Sequence, residues 1–540
     1  MPNTTTIFTG GSVLVDLNLG GDEATMSDAL AVQGHTIVAL GDDAKALMNE
    51  PGAEVIDLEG GVLTPALGEG HAHPLLAGFE TLGPAVREAS DLDGILDAVR
   101  EWKASHPEDE WIVGASYDAT FAEGGLFDAR WLDEVTGDTP TILRAWDYHT
   151  AWVNTAALRA GDITSETPDP ELGRYVRRAD GSPMGTLQET AANNFLAEVV
   201  PPYSLDTRVG ALEHATRVYA RQGTTWVQDA WVDPENIEVY LAAARADRLH
   251  ARVNMAFRAD PALWREQVAE FSAARAAVRE LGHERLSGET IKFFLDGVVE
   301  SHTAALIAPY ADRPDERGIL NWSVDELELA MRAFAEAGFQ LHLHAIGDAA
   351  NRHALDGLEA IADITTPERP HVIAHVALLH PDDVQRFGEL GVVANFEPYW
   401  AQCDAVMRDL TIPHLGHDRE GQQYLIRSVL ESGATVSFGS DWPVTTEDWR
   451  PALATAIDRR DPSEAESTPW LPEERVSARQ AYAGYTTGIA RQALAPERGT
   501  LTVGSTADLV WLSENPTEID VAKIAGVQVH GTWLAGHRTH

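Results

Sequence analysis
Between residues 62 and 439 the chain alternates short apolar runs with longer helical patterns, and this alternation narrows the fold more than any other feature. The runs at 62–67, 224–229, 251–257, 290–295, 340–344, 371–376, 391–396 and 435–439 read as eight strands. Helical stretches, such as 211–221, 325–337 and 422–432, lie between most of them. Most of the runs are apolar throughout, as a parallel strand covered on both faces must be. Eight such strands alternating with helices predict an α/β chain built on a (β/α)8 TIM-like barrel.

The two ends have a different texture. Residues 5–60 are brief apolar strands broken by glycine pairs, among them Ser12-Val13-Leu14-Val15 and Thr36-Ile37-Val38-Ala39-Leu40. The pattern returns near the C-terminus in Leu509-Val510-Trp511-Leu512 and Thr532-Trp533-Leu534. Neither end has strands enough for a core of its own. The expectation is one small composite β-sandwich from residues 1–64 and 490–540, with a catalytic barrel at 65–489 between them. Residues 75–215 are far longer than one strand-to-helix connection requires. They carry their own apolar pieces, Trp111-Ile112-Val113-Gly114 and Thr141-Ile142-Leu143-Arg144-Ala145-Trp146, and read as a subdomain inserted after the first strand. Counting 141–146 as a barrel strand instead gives nine, which a closed eight-stranded barrel does not accommodate.

Composition narrows the function. With 84 acidic residues against 40 basic ones, the formal net charge is −44. A field of that sign repels nucleic acid and anionic membrane, so a small-molecule substrate is the expected partner. The acid is spread along the chain, as on a solvated surface. A single cysteine, Cys403, rules out an intrachain disulfide and a cysteine-rich metal site, and reads as an inert small residue. The start, Met1-Pro2-Asn3-Thr4, has no basic leader and no long apolar run, so a cytoplasmic location is the default expectation. Lysine occurs only at positions 45, 103, 292 and 523, which makes each placement informative.

In a barrel of this kind the chemistry is built at the C-terminal ends of the strands. His71 and His73 stand two apart at the end of the first, where alternate residues share a face. Lys292 lies in the fourth, beside Ile291, Phe293 and Phe294; His344 ends the fifth, His375 the sixth, and Asp441 follows the eighth. Neutral imidazole nitrogens suit Zn2+ and similar cations. An ammonium cannot bind a cation, and a lysine in an apolar strand is costly to bury. Its bland reading is a side chain that snorkels or pairs with a carboxylate such as Asp296.

Several stretches are specific as a set: His344-Ala345-Ile346-Gly347-Asp348, Gly439-Ser440-Asp441-Trp442-Pro443-Val444, Asp147-Tyr148-His149-Thr150-Ala151-Trp152-Val153-Asn154 and Gly504-Ser505-Thr506-Ala507-Asp508-Leu509-Val510. They resemble the amidohydrolase superfamily, in particular amidohydrolase family 3, the YtcJ-like branch that includes N-substituted formamide deformylases. The chain departs from that family where Pro65-Ala66-Leu67-Gly68-Glu69 stands in place of Pro-Gly-Phe-Ile-Asp. The resemblance implies one or two divalent metals per chain, with Zn2+ expected first. It implies that His71, His73 and Asp441 hold the more buried ion, that His344 and His375 hold the other, and that Lys292, carboxylated by CO2, bridges them. Asp441 is then the catalytic proton carrier for a metal-bound hydroxide that attacks a non-peptide amide, of the N-substituted formamide or N-acyl amine type. A cyclic amide, a carbamate or an ester is the alternative substrate. A catalytically inactive barrel serving as a binding scaffold is the alternative of another class. The family also suggests a homodimer.

Other residues carry weaker signals. His342 points as His344 does, one layer deeper, and reads as a support behind the ligands. Asp348 reads as a cap for the next helix. Trp146, His149, Asn154, His302, Glu397 and Tyr399 are candidate substrate contacts, Glu397 because it ends the seventh strand where the family often has Gln.

Overall fold
A computed structural model describes residues 5–21, 23–146, 148, 150–170, 173–464 and 467–540. The chain divides into two compact units, one of residues 1–73 and 216–540 and the other of residues 74–215.

The larger unit holds the barrel. Its eight parallel strands are Leu67–Ala72, Thr224–Val232, Arg252–Arg258, Leu286–Phe294, Gln340–Ala345, Val372–His375, Val393–Phe396 and Thr435–Phe438, each hydrogen-bonded to the next in chain order. The sheet is joined back on itself just past the strand ends. Asp441 N donates to His71 O at 2.8 Å and His73 N to Trp442 O at 2.7 Å. Glu69 adds a side-chain seam there: Oε1 accepts from Ser440 N and Oε2 from Ser440 Oγ, each at 2.8 Å.

The first strand starts later than its sequence suggests. The run at 62–67 is shared between two sheets: Val62–Pro65 belongs to a six-stranded sheet with Ser12–Asp16 and Leu509–Leu512, and the barrel strand begins at Leu67. The switch falls between neighbours. Ala66 N donates to Asp508 O, and Leu67 N donates to Gly223 O, both at 3.0 Å. An apolar run cannot reveal which sheet takes its backbone bonds, because both sheets here bury it.

That six-stranded sheet interleaves strands from both chain ends, and a four-stranded sheet of Thr5–Thr9, Leu30–Gln33, Thr36–Leu40 and Glu54–Asp57 lies with it. They share a core in which Phe8, Val13 and Leu30 pack with Leu501, Leu509 and Trp533. The Phe8 and Trp533 rings meet edge to face at 4.9 Å, a pair worth about 0.5–1.5 kcal/mol beyond its buried area. A buried ion pair, Arg252 Nη1 to Asp508 Oδ2 at 2.6 Å, joins the third barrel strand to the C-terminal segment.

The barrel interior below the strand ends is polar, which the apolar strands do not announce. Asn254 Nδ2 donates to Gln228 Oε1 and to Thr290 Oγ1, and Thr290 Oγ1 donates to Gln340 Oε1. Asn395 Nδ2 donates to Ser437 Oγ, which donates to Gln492 Oε1, and Gln492 Nε2 donates to Gly70 O. Buried networks of this kind hold a particular side-chain arrangement; among the described residues, Asn395 Oδ1 is the member left without a partner.

Residues 74–215 form an α/β unit around a five-stranded sheet of Gly173–Arg177, Pro183–Glu189, Thr150–Val153, Thr141–Ala145 and Ile112–Tyr117. Thr141–Ala145 is therefore an interior strand of this sheet, between Thr150–Val153 and Ile112–Tyr117, and not a ninth barrel strand. One face packs Ile142, Val153 and Phe195, the other Val99, Phe127 and Trp152. Among the described residues no helix is long and apolar enough to cross a membrane.

Candidate metal centre
The strand ends bring the six expected residues together. His73 Nε2 lies 2.9 Å from Asp441 Oδ1, and His71 Nε2 lies 3.6 Å from the same oxygen. Lys292 Nζ is 3.4 Å from His71 Nε2. The His71 and His375 ring centres are 4.5 Å apart, and those of His344 and His375 are 4.4 Å apart. Two of these residues have left-handed backbones, His375 at φ 75° and Asp441 at φ 55°. For residues with a Cβ this costs on the order of 1–3 kcal/mol each, a strain that recurs at functional sites.

Supporting contacts orient the rings. His71 Nδ1 and His342 Nε2 lie 2.8 Å apart and share one ring proton. When that proton sits on His71 Nδ1, His71 Nε2 presents a lone pair to the cluster, and His342 supports that tautomer from behind. His375 Nδ1 donates to Glu397 Oε2 at 2.9 Å, and Trp400 stacks on the His375 ring. His344 Nε2 lies 3.5 Å from Asp296 Oδ1, which turns Nδ1 to the opposite side of the ring.

The electrostatics favour a cation. Burial, with Lys292 close by, holds His71 well below the ordinary histidine range, so its ring is neutral. Burial pulls Lys292 down to about 8, against the opposing charges of Asp441, Glu397 and Asp229. It pushes Glu69 up to about 8, Asp296 to about 7 and Asp229 to about 6, and raises Glu397. Burial works against ionised Asp441 too, but the His73 hydrogen bond and the charges of His73, His375 and Lys292 outweigh it and lower the net value. A neutral His71 ring and crowded carboxyl groups thus stand close to one buried lysine. Among the described residues His375 Nε2, His342 Nδ1 and Glu397 Oε1 are buried without a hydrogen-bond partner. Donor atoms of His71, His73 and Asp441 lie within 4.8 Å of one another, as do those of His71, His375 and Glu397. A divalent cation fits this donor set.

The weaker candidates fall elsewhere or act differently. Glu397 is fully buried behind His375, where it orients a ring. Tyr399 is half-buried in the turn Pro398–Trp400. His302 turns away from the cluster to Asp312, 2.9 Å from its Oδ2. Trp146 and Asn154 belong to the smaller unit. Asn154 is committed there: its Oδ1 accepts from Thr141 N and Ala157 N, and its Nδ2 donates to Thr136 Oγ1 and Thr139 O. It caps the helix Thr155–Ala160 in place of contacting a ligand. His149 lies outside the described residues. Asp348 does not cap its helix; it sits in the first turn and accepts from Ile307 N at 2.8 Å. Asp296 backs His344 and is not the partner of Lys292. Asp229, within the second strand three residues before its end, is a further buried carboxyl that the apolar pattern does not single out; it accepts from Tyr240 Oη.

Comparison with known proteins places the chain. The family model described as "Amidohydrolase family" matches residues 54–540. The protein LONG AFTER FAR-RED 3 of Arabidopsis thaliana is 29% identical, across 99% of this chain and 90% of its own. An N-substituted formamide deformylase of Arthrobacter pascens is 26% identical over 94% of each chain. The crystal structure of an uncharacterised metal-dependent hydrolase from Pyrococcus horikoshii OT3 superposes with a TM-score of 0.78 at 21% identity, over 96% of this chain and 99% of that one. The chain belongs to the amidohydrolase family.

Proposed function
We propose that this chain is a metal-dependent hydrolase that cleaves the C–N bond of a non-peptide amide, with an N-substituted formamide or an N-acyl amine as its substrate class. The observation that carries the reading is the convergence of His71, His73, Lys292, His344, His375 and Asp441 from five barrel strands onto one buried point. The similarity to a formamide deformylase over 94% of both chains supports the substrate class.

His71, His73 and Asp441 would hold one cation, with Zn2+ the expected ion, and His344 and His375 would hold a second. A bound divalent cation supplies a Lewis acid for the amide carbonyl and lowers the pKa of a water towards about 7. Lys292 sits between the two groups. Burial eases loss of a proton from its ammonium; the free amine then adds to CO2, forming an N–C bond and releasing a second proton, so that a carbamate anion would stand where an ammonium stood. Asp441 is ionised and accepts a proton from the water that adds to the carbonyl carbon; as the C–N bond breaks it returns that proton to the leaving amine nitrogen. Glu397 and His342 keep the rings of His375 and His71 turned for this work.

The test is a hydrolysis panel on chelator-treated and metal-restored protein. N-substituted formamides, cyclic amides and esters are offered in parallel, and amine and carboxylate release are measured. Turnover of the formamides that vanishes with chelator and returns with Zn2+ or Mn2+ supports the reading. Turnover confined to cyclic amides or esters moves the substrate class. Metal-loaded protein that turns over none of them contradicts it and favours a binding role.

A further inference from the structure
Outside the catalytic cluster, one other group of side chains has the chemistry of a cation site. His302 and Asp312 lie on the long connection after the fourth barrel strand, and His414 lies in the short helix Ile412–Leu415 after the seventh. One donor atom from each lies within 4.8 Å of the other two. Both histidines aim Nε2 at the same carboxylate oxygen, Asp312 Oδ2, His302 from 2.9 Å and His414 from 3.6 Å. The two imidazole centres are 4.0 Å apart.

The His414 ring is oriented from behind. His414 Nδ1 lies 3.3 Å from Val299 O, and a carbonyl only accepts, so Nδ1 carries a proton. Nε2 is thereby left for Asp312 Oδ2, at 3.6 Å, too far for a direct hydrogen bond. That gap can be closed by a proton on Nε2 or spanned by a metal cation bound to both atoms. A backbone carbonyl that fixes the distal nitrogen is also the usual outer contact of a metal-binding histidine. The His302 hydrogen bond and the charges of His302 and His414 outweigh the burial cost at Asp312 and hold its carboxyl below the ordinary range, so it is an anion.

The cluster is built on segments already fixed to each other. Ala311 N donates to His414 O at 2.8 Å, and the Arg419 guanidinium donates to Ala308 O and Pro309 O. His302 holds a left-handed backbone at φ 60°, which aims a ring that an extended backbone would direct elsewhere. In a tetrahedral zinc site, bonds of about 2.0–2.1 Å place donor atoms about 3.3–3.4 Å apart. On the same basis the His414 contact, at 3.6 Å, needs to close by about 0.2–0.3 Å and the His302 contact, at 2.9 Å, to open by about 0.4–0.5 Å. The Asp312 side chain is 39% exposed, so water can complete the coordination.

We propose that His302, Asp312 and His414 form a second, separate site for a zinc-like divalent cation, which pins the connection after the fourth strand to the one after the seventh. The site reaches the catalytic cluster through the fold. Asp296, beside His344, accepts from Ala305 N three residues beyond His302, so fixing this connection also fixes the backing of a catalytic histidine.

The experiment compares the full-length chain with His302→Gln/His414→Gln and with Asp312→Asn, the last a conservative change at a half-exposed carboxylate that spares the fold. Each is stripped, loaded with Zn2+ alone, desalted and analysed for bound zinc; Co2+ loading adds visible absorption as a second readout. The proposal expects the double variant to bind one zinc fewer per chain than the parent. It expects Asp312→Asn to weaken that one equivalent by about 100-fold, as loss of a ligand does at least as much as loss of an outer partner. A His71→Ala/His73→Ala protein keeps this equivalent, which separates the proposal from the fate of the catalytic centre. Equal zinc content in the parent and either folded variant overturns it and leaves a hydrogen-bonded His–Asp cluster only.

Discussion

Beside the seam of the barrel, His71 and His73 share one carboxylate, Asp441. Across the cluster, His344 and His375 each stand against a separate buried carboxylate, Asp296 and Glu397. The first side is tuned by its own donor set and by a neutral histidine, His342. The second is backed by two buried carboxyl groups, which fix the orientation of the rings they meet. Lys292 lies 3.4 Å from His71 Nε2 on the first side. The contrast teaches that histidines of one cluster can be supported in different ways: in the proposed centre, the seam side relies on Asp441 and the far side on Asp296 and Glu397.

Substitutions that separate the two sides test this contrast. The largest effect is expected at Asp441, proposed above as both metal donor and proton carrier. Asp441→Asn lowers kcat by about 10²–10⁴-fold, read in steady-state assays on the best substrate. Lys292→Ala removes the group common to both sides. It is expected to lower kcat by about 10²-fold and to reduce zinc content, measured by elemental analysis. Full rate and full metal content in that variant contradict the carbamate. Glu397→Gln acts on the far side alone, weakening one zinc by about 10–100-fold and leaving the other unchanged in a competitive chelator titration. An equal loss of both ions erases the distinction between the sides.

A smaller effect contrasts the two ends of the sixth strand. His375 ends it in the cluster; His371 precedes it at the opposite end of the barrel, where its Nδ1 accepts from Leu341 N. Burial, with Arg369 nearby, lowers His371 to about 4. An unfolded histidine titrates near 6.5, so between about pH 4 and 6.5 the unfolded state holds the extra proton. The native contribution of His371 is therefore complete above about pH 6.5 and is lost as pH falls towards 4, by up to about 3 kcal/mol. In urea titrations across that range, His371→Gln flattens this part of the slope; an unchanged slope refutes the assignment.

The histidines and Asp441 were legible because strand-end positions follow from the period of the apolar runs, and Lys292 because lysine is scarce. The barrel and the separate sheet of residues 74–215 were legible for the same reason. The sheet switch at Ala66 was not, since apolarity does not say which sheet takes the backbone bonds. Glu69 looked like a departure from its family; it proves to be a strand-to-strand tie whose partner, Ser440, lies far along the chain. Asp296 and Glu397 were visible as residues but not as partners, because a carboxylate's neighbour depends on rotamers and on loops that cross between strands. The left-handed backbones of His375 and Asp441 leave no trace in residue type.

The most direct test of the two-sided centre is a crystal structure of the zinc-loaded chain with an anomalous map at the zinc edge. The account predicts two peaks within the cluster, one against His71, His73 and Asp441 and one against His344 and His375, with carboxylate density on Lys292 between them. A map with no peak among these residues, in protein that carries zinc, contradicts it.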